Sequence, residues 1–594
     1  MSKIFNALML LKCGLALGPL FLLRRLVVMD VLLENKTSVL PHELSTLGSA
    51  TDAFFHQHQQ QQNVSHARTY LEHVSQLDID REPPFVRQTT IGCTLGEPWN
   101  NEEKIKSMMK GGMNILRLNS SMASQEYYAD TIRKVRDLEK SLDYNPSVGI
   151  ALDISAPPVR TGLVNNDVEA TVMLKDGQLL TLSLKDEFKN NCTADTIWID
   201  SQYFPKVLQS ISPGDRVHLD DGMISLIVRN VKPDSLNCSV VQGGELGSWK
   251  HVELPLERIY KESQPTYLTG LQFAAECKVD YVFSGYCWSR SRIQKAKSIL
   301  GHDIKLFAKI ETAESLKNLS ELISVADGII INRGALGIRY PLEKITHLQK
   351  QIIAKCNILF KPVFVISQLL ESMRFKPRAT RAEITDVGNA VLDGADGLIL
   401  TVETSRGLFP RESLRVLHQT CREAETVVHH ERFWRDLKSS RDCRGLSPLD
   451  PAYFTALAAV EASTTSNASA IFVITTTGQT AMMTASFRPF CPVVAITVSP
   501  EVARRCHSFR GVHPYVFRGE RSSDWSEDMD MRLNAAVDYA RARGFITGGD
   551  TVIFITGWEA GGKHTNTVRV LEAPEDGARI QVVSSNALIA TSAY

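Results

Sequence analysis

At 594 residues, 43% of them hydrophobic and 22% charged, the chain has room for about three or four domains, each with its own core. Its 66 Lys plus Arg balance 66 Asp plus Glu, which excludes a global field that would draw nucleic acid, so any anion site must be local. Eleven cysteines, an odd number without a C-x-x-C pair, exclude a disulfide framework and a zinc site and read as reduced thiols.

The first element is an apolar run, Ile4 to Leu23, interrupted by Asn6 and Lys12 and followed by Arg24–Arg25. It is long enough to span a bilayer. Lys12 near its middle costs about 2.5–3.5 kcal/mol on insertion, and the lack of any acid before Asp30 fits an organelle-targeting leader. Two readings stand: a leader or anchor, and an extension without function in which Met29 is a second start. The polar tract His56–Gln62 cannot bury a core and reads as linker. Residues 1–66 are therefore expected to be a leader and low-complexity extension.

From Thr89 short apolar runs alternate with amphipathic segments, the pattern of strands and helices around a parallel sheet. The expected strands are Thr89–Leu95, Met113–Leu118, Val148–Asp153, Tyr281–Ser284, Lys305–Ile310, Gly328–Ile331, Pro362–Ser367 and Gly397–Thr401. Helices are expected over Glu102–Lys110, Gln125–Leu142, Leu342–Leu359 and Arg381–Leu392. Eight such units predict a TIM (β/α)8 barrel, divided between residues 67–157 and 259–414. Between them, 158–258 carries short alternating segments ("EATVML", "RVHLD", "ISLIVRNV") broken by Gly, Asn, Asp and Pro, which reads as an inserted β-rich domain. Residues 415–594 add "SAIFVITT", "CPVVAITV" and "DTVIFITG", too few strands for a second barrel and suited to a C-terminal α/β domain.

Barrel chemistry sits at the C-terminal strand ends, and six of the eight are polar here. The second ends in Arg117, Asn119 and Ser121, the third in Asp153, the fifth in Lys309 and Glu311. The sixth, seventh and eighth end in Asn332–Arg333–Gly334, Ser367–Gln368, and Thr401 with Glu403. For any one of these a solvated loop residue or ion pair is the plain reading; six at one rim require function. Arg117, Lys309 and Arg160 suit a phosphate or phosphorylated acid. Glu311 suits a hard divalent cation, and Asn119, Ser121 and Asp153 make an oxygen set for a monovalent one. The constellation fits phosphoryl transfer.

With these residues in place, the chain resembles the pyruvate kinase family from about Tyr70 to Arg569. The motifs are "YLEHVSQLDID", "GGMNILRLNSS", "HLDDGMISL", "KIETAESL", "SQLLESM", "TRAEITDVGNAVLDGAD" and "ITGWEAGGKHTNTVRV", in order. The resemblance implies the same three-part fold and conversion of phosphoenolpyruvate and ADP to pyruvate and ATP, with Mg2+ (or Mn2+) and K+. It implies that Lys309 stabilises the transferring phosphoryl group and the enolate, that Arg117 holds the phosphate, and that Glu311 binds the divalent metal. Asn119, Ser121, Asp153 and the backbone of Ile154 would hold potassium, with Asn119 also near the nucleotide. Arg160 and Lys250 would contact nucleotide phosphates as the inserted domain closes. The backbone at Arg333–Gly334 would grip the substrate carboxylate, and Ser367 would stand where the family has a threonine beside the site of enolate protonation.

The sequence also departs from that pattern. The family's R-G-D-L-G turn is here Arg333–Gly334–Ala335–Leu336–Gly337, without the second metal carboxylate. T-K-G-P-E is here Ile154–Ser155–Ala156–Pro157–Pro158, Met122 replaces a histidine, and Val402 replaces a glycine. In the C-terminal part, Thr475, Thr477 and Thr480 lie at the family's sugar-bisphosphate loop, and Trp525 and Arg532 match its activator site. Thr476 and Gln479 replace basic residues there, and a plain strand–helix turn is the equal alternative. The expectation is a divergent pyruvate kinase with a weakened metal site, forming a homo- or hetero-tetramer and binding no nucleic acid. It is expected in the cytoplasm, with residues 4–23 leaving a mitochondrial or membrane-anchored address open. The alternative is a silent subunit of the same fold that assembles with an active relative or binds a metabolite.

Overall fold

The structure is a computed structural model that describes residues 69–142, 146–155, 159–167, 170–200, 211–220, 222–254, 264–442, 450–557, 565–575 and 577–581, with Ala67 and Leu208. The apolar segment 4–23, the glutamine tract and residues 156–158 lie outside the described residues. Among the described residues no helix is long and apolar enough to cross a membrane.

Eight parallel strands close into a barrel: β1 Thr90–Thr94, β2 Ile115–Asn119, β3 Gly149–Ile154, β4 Tyr281–Ser284, β5 Lys305–Ile310, β6 Gly328–Asn332, β7 Val363–Ile366 and β8 Gly397–Leu400. Each matches an expected run to within two residues at either end. They are legible because barrel strands are buried on both faces and read as continuous apolar stretches. Strand alternation sorts their side chains. Ile115, Ala151, Tyr281, Phe283, Phe307, Ile330, Phe364, Ile366 and Ile399 point inward and fill the barrel. Their neighbours, such as Leu116, Leu118, Ile150, Leu306 and Ile329, pack outward under the helices.

The helices follow their start signals. Gln125–Ser141 begins at Ser124, whose side chain accepts from the Tyr127 amide. Arg381–Leu392 opens on a capping box of Thr380 and Glu383. The expected helix at 342–359 is in fact a 3-10 turn, Leu342–Lys344, running into an α-helix, Ile345–Ile358.

Between β3 and β4 the chain builds a seven-stranded sheet, in the order Val159–Arg160, His251–Glu253, Arg216–Leu219, Ile224–Lys232, Ser235–Gln242, Leu179–Ser183 and Thr196–Trp198, with Gly244–Gly247 and Thr171–Leu174 paired beside it. The C-terminal sheet has five strands, ordered Val512–Val516, Val493–Thr497, Ala470–Ile474, Thr551–Gly557 and Thr565–Glu572, the last antiparallel. Sequence reasoning found three of these. Val512–Val516 is interrupted by His513 and Pro514, and Thr565–Glu572 lies on an edge with alternating exposure, so neither carries a long apolar run.

This C-terminal part seats on the barrel end where the strands begin. Thr90 Oγ1 donates to the His507 carbonyl at 2.9 Å, Asp280 pairs with Arg504 at 2.9 Å, and Asp396 pairs with Arg488 at 2.7 Å. Glu425 accepts the amides of Gln88 and Thr89 at 2.8 and 2.7 Å. The opposite mouth is left to the inserted sheet and the chemistry. The nine described cysteines are unpaired, and all but the half-buried Cys277 are buried.

Candidate active site at the barrel mouth

The alternation that fills the barrel below also delivers polar groups above. On β2, Arg117 and Asn119 follow Ile115 on the inward face; on β3, Asp153 follows Ala151; on β5, Lys309 follows Phe307, with Glu311 next in step. On β6, Asn332 follows Ile330. On these four strands the inner residues Ile115, Ala151, Phe307 and Ile330 each have a polar one two positions later, one layer nearer the mouth.

From Arg117 to Ser367 these side chains form one continuous chain of bonds, with the Asn119–Ser121 pair beside it. Arg117 donates from Nε and Nη2 to Asp153 Oδ2 at 2.8 and 2.6 Å, and from Nη1 to Thr94 Oγ1 at 2.9 Å. Lys309 Nζ lies 3.1 Å from Asp153 Oδ1, 3.1 Å from Ser155 Oγ and 3.2 Å from Glu311 Oε2. Asn332 Nδ2 donates to the same Glu311 oxygen at 2.8 Å, and Ser367 Oγ donates to Asn332 Oδ1 at 3.2 Å. Ser121 Oγ donates to Asn119 Oδ1 at 2.9 Å, and Asn119 is in register with Asp153 across β2 and β3. Lys309 is 3% exposed, Glu311 2% and Asp153 0%.

Burial alone would raise the Asp153 carboxyl, but the charges of Arg117 and Lys309 and the hydrogen bonds of Arg117 and Ser155 outweigh it and hold it at about 2. Burial alone would lower the Lys309 ammonium; Asp153 and Glu311 outweigh it and push it up. Lys309 is thus a permanent cation at the mouth, ready to face developing negative charge.

The Asn332–Arg333–Gly334 turn is the start of a short helix, Arg333–Arg339, with Asn332 as its cap. Gly and Ala at 334 and 335 and the shortness of the segment hide this helix from periodicity. The Arg333 side chain turns away from the mouth. It pairs with Asp386 at 2.7 Å and donates to the carbonyls of Ser367, at 3.1 and 3.2 Å, and Gln368, at 2.5 Å. Ser367 and Gln368 both have positive φ, 75° and 55°, and this guanidinium braces that turn. The Arg333 side chain is thus engaged within the fold, and at this turn it is the backbone of Arg333 and Gly334 that stays unspent by side-chain contacts of Arg333. The Ala335 methyl offers no ligand.

Other sequence expectations fall elsewhere. Arg160 Nη1 donates to the Trp249 carbonyl at 3.1 Å, and Lys250 pairs with Asp220 at 2.9 Å, both within the inserted sheet. Ile154 packs its side chain into the outer core and is in register with Ser284 of β4. Glu403 is spent on structure, accepting the amides of Leu370 at 3.1 Å and Thr401 at 2.7 Å. In the C-terminal part, Thr475 Oγ1 accepts the Gly478 amide at 2.9 Å, Thr477 Oγ1 accepts from Gln479 at 3.4 Å, and Thr480 meets Thr565 at 3.3 Å. Arg532 pairs with Asp528, and Trp525 opens the helix Trp525–Ala542. Sequence reasoning missed Thr94, the second partner of Arg117. Its only signal is its place at the end of β1, the strand end that looked apolar.

Among the described residues no group of three or more His, Cys, Asp or Glu could cage a metal ion. One carboxylate, Glu311, with water and substrate oxygens is nonetheless a donor set that magnesium accepts, and Asn119, Ser121 and Asp153 are the hard oxygens a monovalent cation takes.

The sequence matches the family described as "Pyruvate kinase, barrel domain" over residues 86–414 and "Pyruvate kinase, alpha/beta domain" over 454–571. It is 40% identical to pyruvate kinase PKLR of Homo sapiens over 530 residues, 87% of this chain and 90% of that one. It is 39% identical to pyruvate kinase PKLR of Rattus norvegicus over 530 residues, with the same coverage. A pyruvate kinase of Candida albicans is 32% identical over 509 residues, 85% of this chain and 99% of that one.

Proposed function

The chain belongs to the pyruvate kinase family, and on that premise we propose that its barrel mouth moves a phosphoryl group from phosphoenolpyruvate to ADP. It is a pyruvate kinase-like phosphotransferase. The observation that carries the reading is the buried Lys309, held between Asp153 and Glu311 with Arg117 beside it.

In this reading Arg117 holds the substrate phosphate while Asp153 fixes its guanidinium. Lys309 faces the charge that develops on the phosphoryl and enolate oxygens, and Ser367 stands at the carbon to be protonated. Amides at Arg333–Gly334 take the carboxylate, and Arg160 and Lys250 take nucleotide phosphates from the inserted sheet. Glu311 would hold Mg2+ (or Mn2+), and Asn119, Ser121, Asp153 and the Ile154 backbone would hold K+. When bound, the cations neutralise the phosphate charge. The working division is 67–157 and 259–414 for the barrel, 158–258 for the inserted domain and 415–594 for the C-terminal domain. A tetramer and a sugar-bisphosphate activator at Thr475, Thr477, Thr480, Trp525 and Arg532 complete the family pattern.

The test is a coupled assay of the purified protein with phosphoenolpyruvate and ADP at low and high magnesium. Pyruvate formation that rises with magnesium supports the reading. No pyruvate at any magnesium concentration supports the second reading, a silent subunit, which Ala335 favours.

A further inference from the structure

The short helix Arg333–Arg339 carries a second contact that the reaction as read above does not use. Arg339, at its end, folds its guanidinium back along the helix and donates from Nη1 to the Ala335 carbonyl at 2.7 Å. Its Nη2 donates to Glu253 Oε1 at 2.9 Å. Glu253 belongs to the inserted sheet, at the end of the strand His251–Glu253. That strand pairs with Val159–Arg160 on one side and Arg216–Leu219 on the other, and Lys250 immediately precedes it. The two side chains are 15% and 9% exposed, so the pair is largely withdrawn from water. Burial raises the Glu253 carboxyl, Arg339 opposes the rise, and the charge of Glu311 adds to it, which places Glu253 within electrical reach of the mouth.

A second contact runs between the same two parts. Gly222 of the inserted sheet, at φ +92°, comes so close to the helix that a Cβ there would stand 3.2 Å from Ile338 Cγ1. Gly222 follows the loop that holds Asp220, the partner of Lys250. One helix therefore meets the inserted domain through an ion pair and through a glycine that leaves room for Ile338.

We propose that Arg339 is a positioning residue that ties the backbone of the substrate turn to the inserted domain through Glu253. The inference rests on the phosphotransferase reading for its kinetic consequences only. At position 335 a methyl replaces any side chain that could be anchored through a ligand. The peptide there is held by its carbonyl instead: beyond its helical bond, that carbonyl takes one nitrogen of the Arg339 fork while Glu253 takes another. The amides of Arg333 and Gly334, directly before that peptide, take their place only while the inserted domain is down. Substrate-carboxylate binding and the pose of the nucleotide-side sheet become one event.

The test uses the full chain with Glu253→Gln and Arg339→Met, and with the exchange Glu253→Arg plus Arg339→Glu. The exchange rebuilds the ion pair but removes the side-chain donor from the Ala335 carbonyl, leaving it only its intrahelical bond. Both single variants are expected to raise KM for phosphoenolpyruvate about tenfold with little change in kcat, within the roughly hundredfold that a misplacement of about 1 Å can cost. The exchange is expected to recover the wild-type melting temperature and to keep the raised KM. Unchanged KM in the single variants, or a KM restored together with stability in the exchange, would mean a structural brace and overturn the proposal. If the wild-type chain makes no pyruvate, hydrogen exchange still decides: the amides of 335–339 should exchange about tenfold faster in Glu253→Gln. Equal exchange in both chains overturns the tie independently of any activity.

Discussion

Lys309 Nζ and Asp153 Oδ1 stand 3.1 Å apart, both sealed from solvent, and Arg117 holds the other oxygen of the same carboxylate. One carboxylate thus fixes two cations side by side, so neither can be removed without consequence for the other.

Lys309→Met should lower turnover about a thousandfold, the scale of losing one preorganised charge at a transition state. The fold should persist, because Arg117 still satisfies Asp153 and Asn332 still donates to Glu311. Steady-state kinetics together with circular dichroism check this; activity that survives the change would point to a different mechanism or a contaminant.

Ala335→Asp should lower the magnesium needed for half-maximal activity and raise turnover. An anionic ligand near a divalent ion in a screened, partly desolvated mouth contributes on the order of a few kcal/mol more than water. Magnesium titrations of both chains by calorimetry and by rate give the comparison. Tighter magnesium without faster turnover would move the defect to Ser155–Pro158 or Val402.

Asn332→Ala removes three things at once: the donor to Glu311, the acceptor for Ser367, and the cap of the helix Arg333–Arg339. The lost cap should cost about 1 kcal/mol of stability. KM for phosphoenolpyruvate should also rise, since the substrate turn starts at this residue. Urea unfolding with kinetics separates the two; a stability loss with unchanged KM would leave Asn332 as a cap alone.

Acid should loosen the seat of the C-terminal part. His507 donates from Nε2 to the Ser147 carbonyl at 2.6 Å, and burial brings its pKa down to about 4. His430 faces the Arg488 carbonyl at 3.3 Å, and burial, with Arg510 nearby, brings it down to about 3. An unfolded histidine titrates near 6.5. Below that value the unfolded chain binds protons that the native one refuses, so stability falls as the pH drops from about 6.5 toward 4, by up to about 1.4 kcal/mol per unit for each histidine. Melting temperatures between pH 7.5 and 5 should show the slope, and His507→Gln should flatten it; an equal slope in both chains would acquit His507.

How much of this was legible in the sequence depends on the kind of signal. The eight strands were, because each is a continuous apolar run, and so was the placing of Arg117, Asp153, Lys309 and Glu311 at the strand ends, because alternation puts the first three two residues beyond inward apolar ones and Glu311 one step further. What joins them was not. That Asn332 bridges Glu311 and Ser367, that Thr94 supports Arg117, and that Arg333 braces the Ser367 turn are facts about neighbours across the sheet. Glu253 and Arg339 are 86 residues apart in the chain and meet only because the insertion folds back on the mouth. The strands Val512–Val516 and Thr565–Glu572 escaped because a proline and an exposed edge erase the apolar pattern.

The burial of the thiols gives the molecule an internal clock. Burial pushes Cys238, Cys421, Cys491 and Cys506 up to about 12 and raises Cys93, Cys192 and Cys356 as well, so these seven offer almost no thiolate to alkylate while their surroundings stay closed. Each reacts only when its surroundings open. Cys192 and Cys238 lie in the inserted sheet, Cys93, Cys356 and Cys421 around the barrel, and Cys491 and Cys506 in the C-terminal part. The order in which a small alkylating probe consumes them reads out which part breathes first, and how often, without any label being added to the chain.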